Sequence, residues 1–263
     1  MNSLPTIAFA LIALSAAVQA VFLLKGGGRK DRASRWLLLA AALLLLATSV
    51  ARSVEIGFPA LTGTFESLVF YAALVCLVVF AYRAQKRLAY LPLVGFGATV
   101  FALVLLAVAS SPLAPKAALA PIPALKSGWL VLHVSFTFVG EAFFVASFVS
   151  ALAFLLSKDE KRKLDYDRLT YTSIALGFPV FTAGALIFGA IWAERAWGSW
   201  WSWDPKETWA LVTWLVYAFY LHIRLTRRRK GALPAVAAVV GFLCTLFTFL
   251  GVNYLLPGLH SYG

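Results

Sequence analysis

Apolar residues gather into eight long runs along this chain, near 4–24, 36–54, 66–82, 89–110, 129–156, 172–193, 205–223 and 233–256, with most charged residues in the short gaps between them. A helix rises about 1.5 Å per residue. Runs of this length therefore match a hydrocarbon core of roughly 30 Å. The pattern predicts an all-α fold: a polytopic membrane helical bundle of about eight transmembrane helices, forming a single integral membrane domain over residues 1–263. A mean hydropathy of +0.85 and only 13% charged residues place the chain outside soluble globular composition.

The gaps differ in character. Residues 111–128 hold Pro112, Pro115, Pro121 and Pro123, which predicts an extended segment. Residues 55–65 contain Gly57, Pro59 and Gly63 and run into Phe65-Glu66-Ser67. Pro179 falls inside the sixth run and predicts a kink there. The seventh run has the clearest start. Asp204 is placed to cap it, Pro205 suits the first helical turn, and Glu207 follows the cap by three residues, as in a capping box. Helix initiation accounts for Asp204, Pro205 and Glu207 at least as well as ligand contact does.

The net charge of +12 is a topology signal rather than a nucleic-acid footprint. Eighteen of the 23 Lys and Arg residues lie in alternate gaps, at 25–35, 83–87, 158–169 and 224–230. The opposite gaps hold only Arg52, Lys116, Lys126, Arg195 and Lys206. The positive-inside rule then places both termini outside the cytoplasm, together with the gap before residue 205. Val18-Gln19-Ala20 resembles a cleavage site, but no Lys or Arg precedes Lys25, so the first run is expected to be a retained helix. Cys76 and Cys244 fall within separate runs and form neither a redox pair nor a zinc pattern. Small apolar core positions explain both.

Residues 197–209 carry the chemistry. They read Trp-Gly-Ser-Trp-Trp-Ser-Trp-Asp-Pro-Lys-Glu-Thr-Trp, with tryptophan at Trp197, Trp200, Trp201, Trp203 and Trp209. A few interfacial tryptophans anchor many membrane proteins. Five in thirteen residues make an external aromatic platform, suited to a large, flat, apolar ligand with a polar rim. Haem is the first candidate.

The three histidines sort by depth. His133 lies about one turn inside the outer end of the fifth run, and His260 lies in the outer tail. His222 ends the seventh run beside the basic cluster that begins at Arg224. The 18 residues from Asp204 to His222 span about 27 Å of helix, so a ligand on the Trp loop is out of reach of His222. His133 and His260 share the outer side and are placed to supply two axial imidazoles to one iron. The sequence thus points to two sites, one external and one deep on the cytoplasmic side. Each histidine also has a simpler reading: an interfacial hydrogen bond, a solvated tail, or a cation at a helix C-terminus. Glu141 is a lone carboxylate about two turns below His133, and intramembrane acids are commonly functional or paired.

Trp197 through Trp209 resembles the WWD signature of haem-handling proteins. The continuation through Tyr220-Leu-His222-Ile-Arg224 resembles the CcsA branch, the system II cytochrome c biogenesis proteins. Phe65-Glu-Ser-Leu68, Leu132-His-Val-Ser135, Phe249-Leu-Gly-Val-Asn253 and Leu259-His-Ser-Tyr262 are similar as well, in the same order. The resemblance implies a component of a holocytochrome c synthase in the bacterial cytoplasmic or a thylakoid membrane. It would bring haem b to the outer face and present it for thioether attachment to an apocytochrome c Cys-x-x-Cys-His motif. It further implies His133 and His260 as external iron ligands and His222 as an intramembrane ligand. The Trp loop and Asp204 would then hold the porphyrin. A CcsB (ResB-type) membrane subunit would supply the second intramembrane ligand, and thioredoxin-like proteins would keep the target thiols reduced. No cysteine of the chain is placed as a nucleophile.

Three rival readings stand beside this one. A HemX-like haem-binding regulator shares the eight-span plan, but the intact WWD run argues against it. A system I haem-delivery protein would carry different residues after the Trp-Asp core than Lys206-Glu207-Thr208-Trp209. A transporter of another small molecule would use the Trp run only as an interfacial girdle.

Overall fold

The computed structural model describes residues 3–26 and 31–256. Eight long helices follow one another: α1 Ser3–Leu24, α2 Ala33–Ile56, α3 Thr64–Ala84, α4 Pro92–Ser110, α5 Gly128–Leu156, α6 Glu160–Trp197, α7 Pro205–Leu225 and α8 Ala232–Leu255. No strand occurs among the described residues. Seven of the eight are long and apolar enough to cross a membrane. The exception, α7, has the length but mixes Trp, Tyr, Thr and His with its aliphatic residues. The fold is that of an all-α polytopic membrane protein. The proline-rich stretch before α5 is largely extended, broken by a turn at Ser111–Ala114 and a tight helical turn at Pro123–Leu125. The sixth helix begins twelve residues earlier than its apolar run, because Asp159 caps a charged first turn by accepting from the Lys161 and Arg162 amides. Cys76 is buried and Cys244 half-buried, and both are free thiols.

The chain divides into two compact units, Met1–Lys126 and Ser127–Gly263. In the first, each helix packs on its sequence neighbour and α1 also packs on α4, closing a four-helix ring. Small residues let the backbones approach: Ala41 and Ala42 on α2, Ala72 and Ala73 on α3, Ala98 and Ala102 on α4 are all buried. Two buried charge pairs brace this unit. Arg83 donates to Asp31 Oδ2 at 2.7 Å, to the Tyr90 hydroxyl at 2.6 Å and to Gln19 Oε1 at 3.1 Å. Burial pushes the Asp31 pKa upward, but the Ser34 amide and the Arg83 guanidinium outweigh it and hold the carboxyl below its ordinary range. At the other ends of α2 and α3, Arg52 pairs with Glu66 and also donates to the Lys116 carbonyl at 3.0 Å.

The second unit is built around rings. Phe144 of α5 stacks on Tyr217 of α7 at 3.8 Å and meets Phe181 of α6 at 5.5 Å. Phe148 stacks on Phe242 of α8 at 4.5 Å. The most extensive helix contact here is between α5 and α6. Unlike the first four helices, α6 and α8 are not regular throughout. Each widens to π-helical hydrogen bonding, at Thr182–Phe188 and Phe247–Gly251 respectively. Such turns leave backbone carbonyls available to outside partners. The wide turn of α6 begins three residues after Pro179, where the missing amide has already broken the regular ladder.

Candidate functional site

The Trp-rich loop is held between two well-defined helix ends. Gly198, at φ +72°, closes α6 in the left-handed conformation, its amide donating to the Glu194 carbonyl at 2.8 Å. At the far side Asp204 accepts from the Lys206 amide at 2.9 Å, with Pro205 as the first helical residue. Glu207 reaches back, but past the cap. Its Oε2 accepts from the Ser202 amide at 2.7 Å and from the Ser202 hydroxyl at 3.0 Å, so it braces the loop rather than the cap residue. Between these ends Trp203 adopts φ +60°, a conformation uncommon for a bulky residue and one that clusters at functional sites.

The loop sorts its indoles into two kinds. Trp200 and Trp203 are 60% and 69% exposed. Trp197 and Trp201 are half-buried, and among the described residues their indole N–H groups are shielded without a hydrogen-bond partner. Trp201 meets Trp203 edge to face at 5.8 Å, and Trp209 packs on Phe247 of α8 at 4.4 Å. The loop therefore offers two exposed ring faces and two buried donors.

His133 lies beside this loop through one intermediary. Its ring stacks on Trp192 of α6, with centroids 6.0 Å apart and planes within 10°, and Trp192 meets Trp197 at 5.8 Å. His133 Nδ1 sits 2.9 Å from the carbonyl oxygen of Gly184, inside the wide turn of α6. A carbonyl only accepts, so in the neutral ring Nδ1 carries the proton and Nε2 the lone pair. The close approach requires glycine at that point. A Cβ on Gly184 would lie 2.4 Å from the Thr137 amide nitrogen and 2.7 Å from the Phe136 carbonyl carbon. The aromatic content of the run is legible in the sequence. Trp192 is not, because five residues upstream of the run it reads as one more apolar member of a span.

Of the other expected residues, His222 does not join this group. His222 stands on α7, continuous in helix with Asp204 and exposed, next to Arg224, which forks onto Asp167 of α6 at 3.0 and 2.9 Å. Its separation from Asp204 along the helix is the expected one of about 27 Å. His260 lies outside the described residues. Glu141, for which no partner is evident in the sequence, is electrostatically coupled to Lys206, the residue that follows the Asp204-Pro205 pair.

Residues 61–260 match the Cytochrome C assembly protein family, which takes in α3 to α8 and the whole Trp-rich loop. The chain belongs to that family. Among curated relatives it is 41% identical to the cytochrome c biogenesis protein CcsA of Chlamydomonas reinhardtii over 84% of its own length and 65% of that protein. It is 36% identical to CcsA of a strain of Prochlorococcus marinus over 99% of its length and 93% of that protein. Against CcsA of Pyropia yezoensis it is 34% identical, over 100% of its length and 97% of the relative. These matches make it a CcsA-type protein with a role in cytochrome c biogenesis. A solved structure, the cytochrome c haem lyase CcmF, shares the fold at a TM-score of 0.72 and 20% identity, covering 95% of this chain and 46% of that one.

Proposed function

We propose that this CcsA-type chain is the haem-handling subunit of a system II cytochrome c synthase. In this reading it holds haem b at the outer face of a bacterial cytoplasmic or thylakoid membrane and presents it to apocytochrome c. The observation that carries the reading is the state of His133. Its Nδ1 is committed to the Gly184 carbonyl and its ring is stacked on Trp192, which leaves Nε2 as the lone-pair nitrogen beside a cluster of indoles. Metal-bound histidines are commonly oriented by such a carbonyl, which also raises the basicity of the ligating nitrogen. The unpartnered N–H groups of Trp197 and Trp201 supply donors for the polar rim of the ligand, and Trp200 and Trp203 supply exposed ring faces.

Bound haem would supply the iron that the imidazoles hold and the vinyl groups to which the Cys-x-x-Cys-His thiols become attached. The residues of this chain orient and enclose. His133, paired with His260 from the tail, fixes the iron, while Trp197, Trp200, Trp201, Trp203 and Trp209 form the platform, and Asp204 fixes the platform to α7. The positive-inside distribution supports an external position for the loop. His222, an exposed imidazole near the far end of α7, supports a second iron site completed by a CcsB/ResB-like subunit. Thioredoxin-like reductants would keep the target thiols available.

The test is an optical spectrum of the detergent-purified chain beside the His133→Ala, His260→Ala double variant. The expected result is a sharp low-spin b-type spectrum in the wild type that the double variant loses. Equal haem content in the two would sink the axial-ligand assignment. A wild type without haem, even when coexpressed with a CcsB-like subunit, would favour a transporter of another molecule.

A further inference from the structure

The first-turn lysine of α7 is turned inward. Lys206 occupies the second helical position, where a positive charge opposes the helix dipole. Its Nζ nevertheless donates to Asn253 Oδ1 of α8 at 2.9 Å. It is also electrostatically coupled to Glu141 of α5 and to Asp204, the cap of its own helix. Glu141 is 3% exposed and lies eight residues, about two turns, beyond His133 on α5. A strongly hydrated ammonium on a flexible stem stays in such a place only where carboxylate and amide oxygens replace its water. The Lys206 amide meanwhile donates the capping bond to Asp204 Oδ1 at 2.9 Å. One residue is thus fixed at both its backbone and its tip, and it ties the foot of the Trp-rich loop to α8, under the charge of Glu141 on α5.

We propose that Lys206 is a positioning residue: through Asn253 it latches the Trp-rich loop to α8, with the charge of Glu141 holding its ammonium inward, and so sets where the indoles stand relative to His133. The consequence for haem rests on the function proposed above, whereas the latch itself is measurable without haem. The experiment is hydrogen exchange of the backbone amides of residues 198–204 in the full-length, haem-free chain. Lys206→Met takes away a positive charge that acts on the buried Glu141 and is at risk of misfolding, so the decisive variant is the double Lys206→Met, Glu141→Gln, which removes both charges together. A latch raises loop exchange tenfold or more in the double variant at an unchanged melting temperature. Asn253→Leu should raise exchange as well, while Asn253→Asp, which keeps an acceptor for Nζ, should restore the wild-type rate. On loading with haem the double variant should show a mixed-spin Soret band where the wild type is low-spin.

Wild-type exchange in the double variant overturns the latch, whatever the haem spectrum. Raised exchange with an unaltered low-spin spectrum overturns the positioning role. A wild type that takes up no haem defeats the haem reading, and the exchange comparison still decides the latch.

Discussion

The two units solve the same problem, helices packed in a bilayer, by different means. In Met1–Lys126 the helices are regular and the interfaces are lined with alanine, and the buried charges cancel one another, as in Arg83 with Asp31 and Arg52 with Glu66. In Ser127–Gly263 two helices widen out of α-geometry, and one of the carbonyls so released is used by His133. Irregular backbone in a membrane is tolerated only where its polar groups find partners. On the function proposed above, its concentration in one unit separates a scaffold from a working surface. The first unit is expected to fail through lost stability, the second through lost ligand geometry.

The largest effect expected from this contrast is in the scaffold. Arg83→Met leaves Asp31 buried without its cation, and breaking a buried pair from one side costs about 3–5 kcal/mol. The detergent melting curve should drop sharply, while the side-chain ¹⁵N shifts of His133 stay those of the Nδ1–H tautomer. A large change in those shifts would show that the two units are not separable in this way.

Gly184→Ala should come next. Overpacking of this kind costs roughly 1–3 kcal/mol, but here it also pushes the wide turn off Phe136 and Thr137. The His133 tautomer preference should weaken and haem retention should fall more than stability does. Normal His133 shifts in this variant would break the link between the wide turn and His133.

Acid gives a smaller, graded test of the scaffold. The carboxyl of Asp31 is held below its ordinary range when folded, so its stabilising contribution is fully present above the unfolded value. It is lost as the pH falls through the lower folded value. Amides in the first turn of α2 should therefore lose protection, relative to their intrinsic exchange rate, as the pH falls, and Asp31→Asn should abolish that loss. An unchanged acid profile in Asp31→Asn would assign the transition to other groups.

The smallest stability effects belong to the platform. Trp200→Ala and Trp203→Ala remove exposed rings and should shift stability by less than about 0.5 kcal/mol, yet they should loosen haem without abolishing ligation. If haem affinity is the same in both variants, these rings anchor the loop at the interface and do no more.

Much of this architecture is legible in the amino-acid sequence. Hydropathy locates all eight helices, usually to within a few residues. The Asp204-Pro205 start is right in its cap. Glu207 is right as a brace but not in its expected partner, since it takes the amide of Ser202. The early start of α6 escapes the pattern because its first turns are charged, and a hydropathy run ignores a helix that begins outside the apolar layer. Trp192 and the glycine at 184 escape it for another reason. Nothing local distinguishes a span tryptophan that stacks on a histidine 59 residues away from one that meets lipid.

By itself, then, the sequence determined what short-range physics can encode: span lengths, the alternation of charge between gaps, helix caps, and the density of indoles in one loop. These depend on neighbours within a turn or on the bilayer thickness. The tertiary structure alone decided which nitrogen of His133 carries the lone pair, which helix receives the Lys206 ammonium, and which tryptophans are exposed. Those outcomes depend on how each helix is rotated about its axis. At about 100° per residue, a shift of one position turns a side chain from its partner toward lipid, and only the packing of all the helices in a unit fixes that angle.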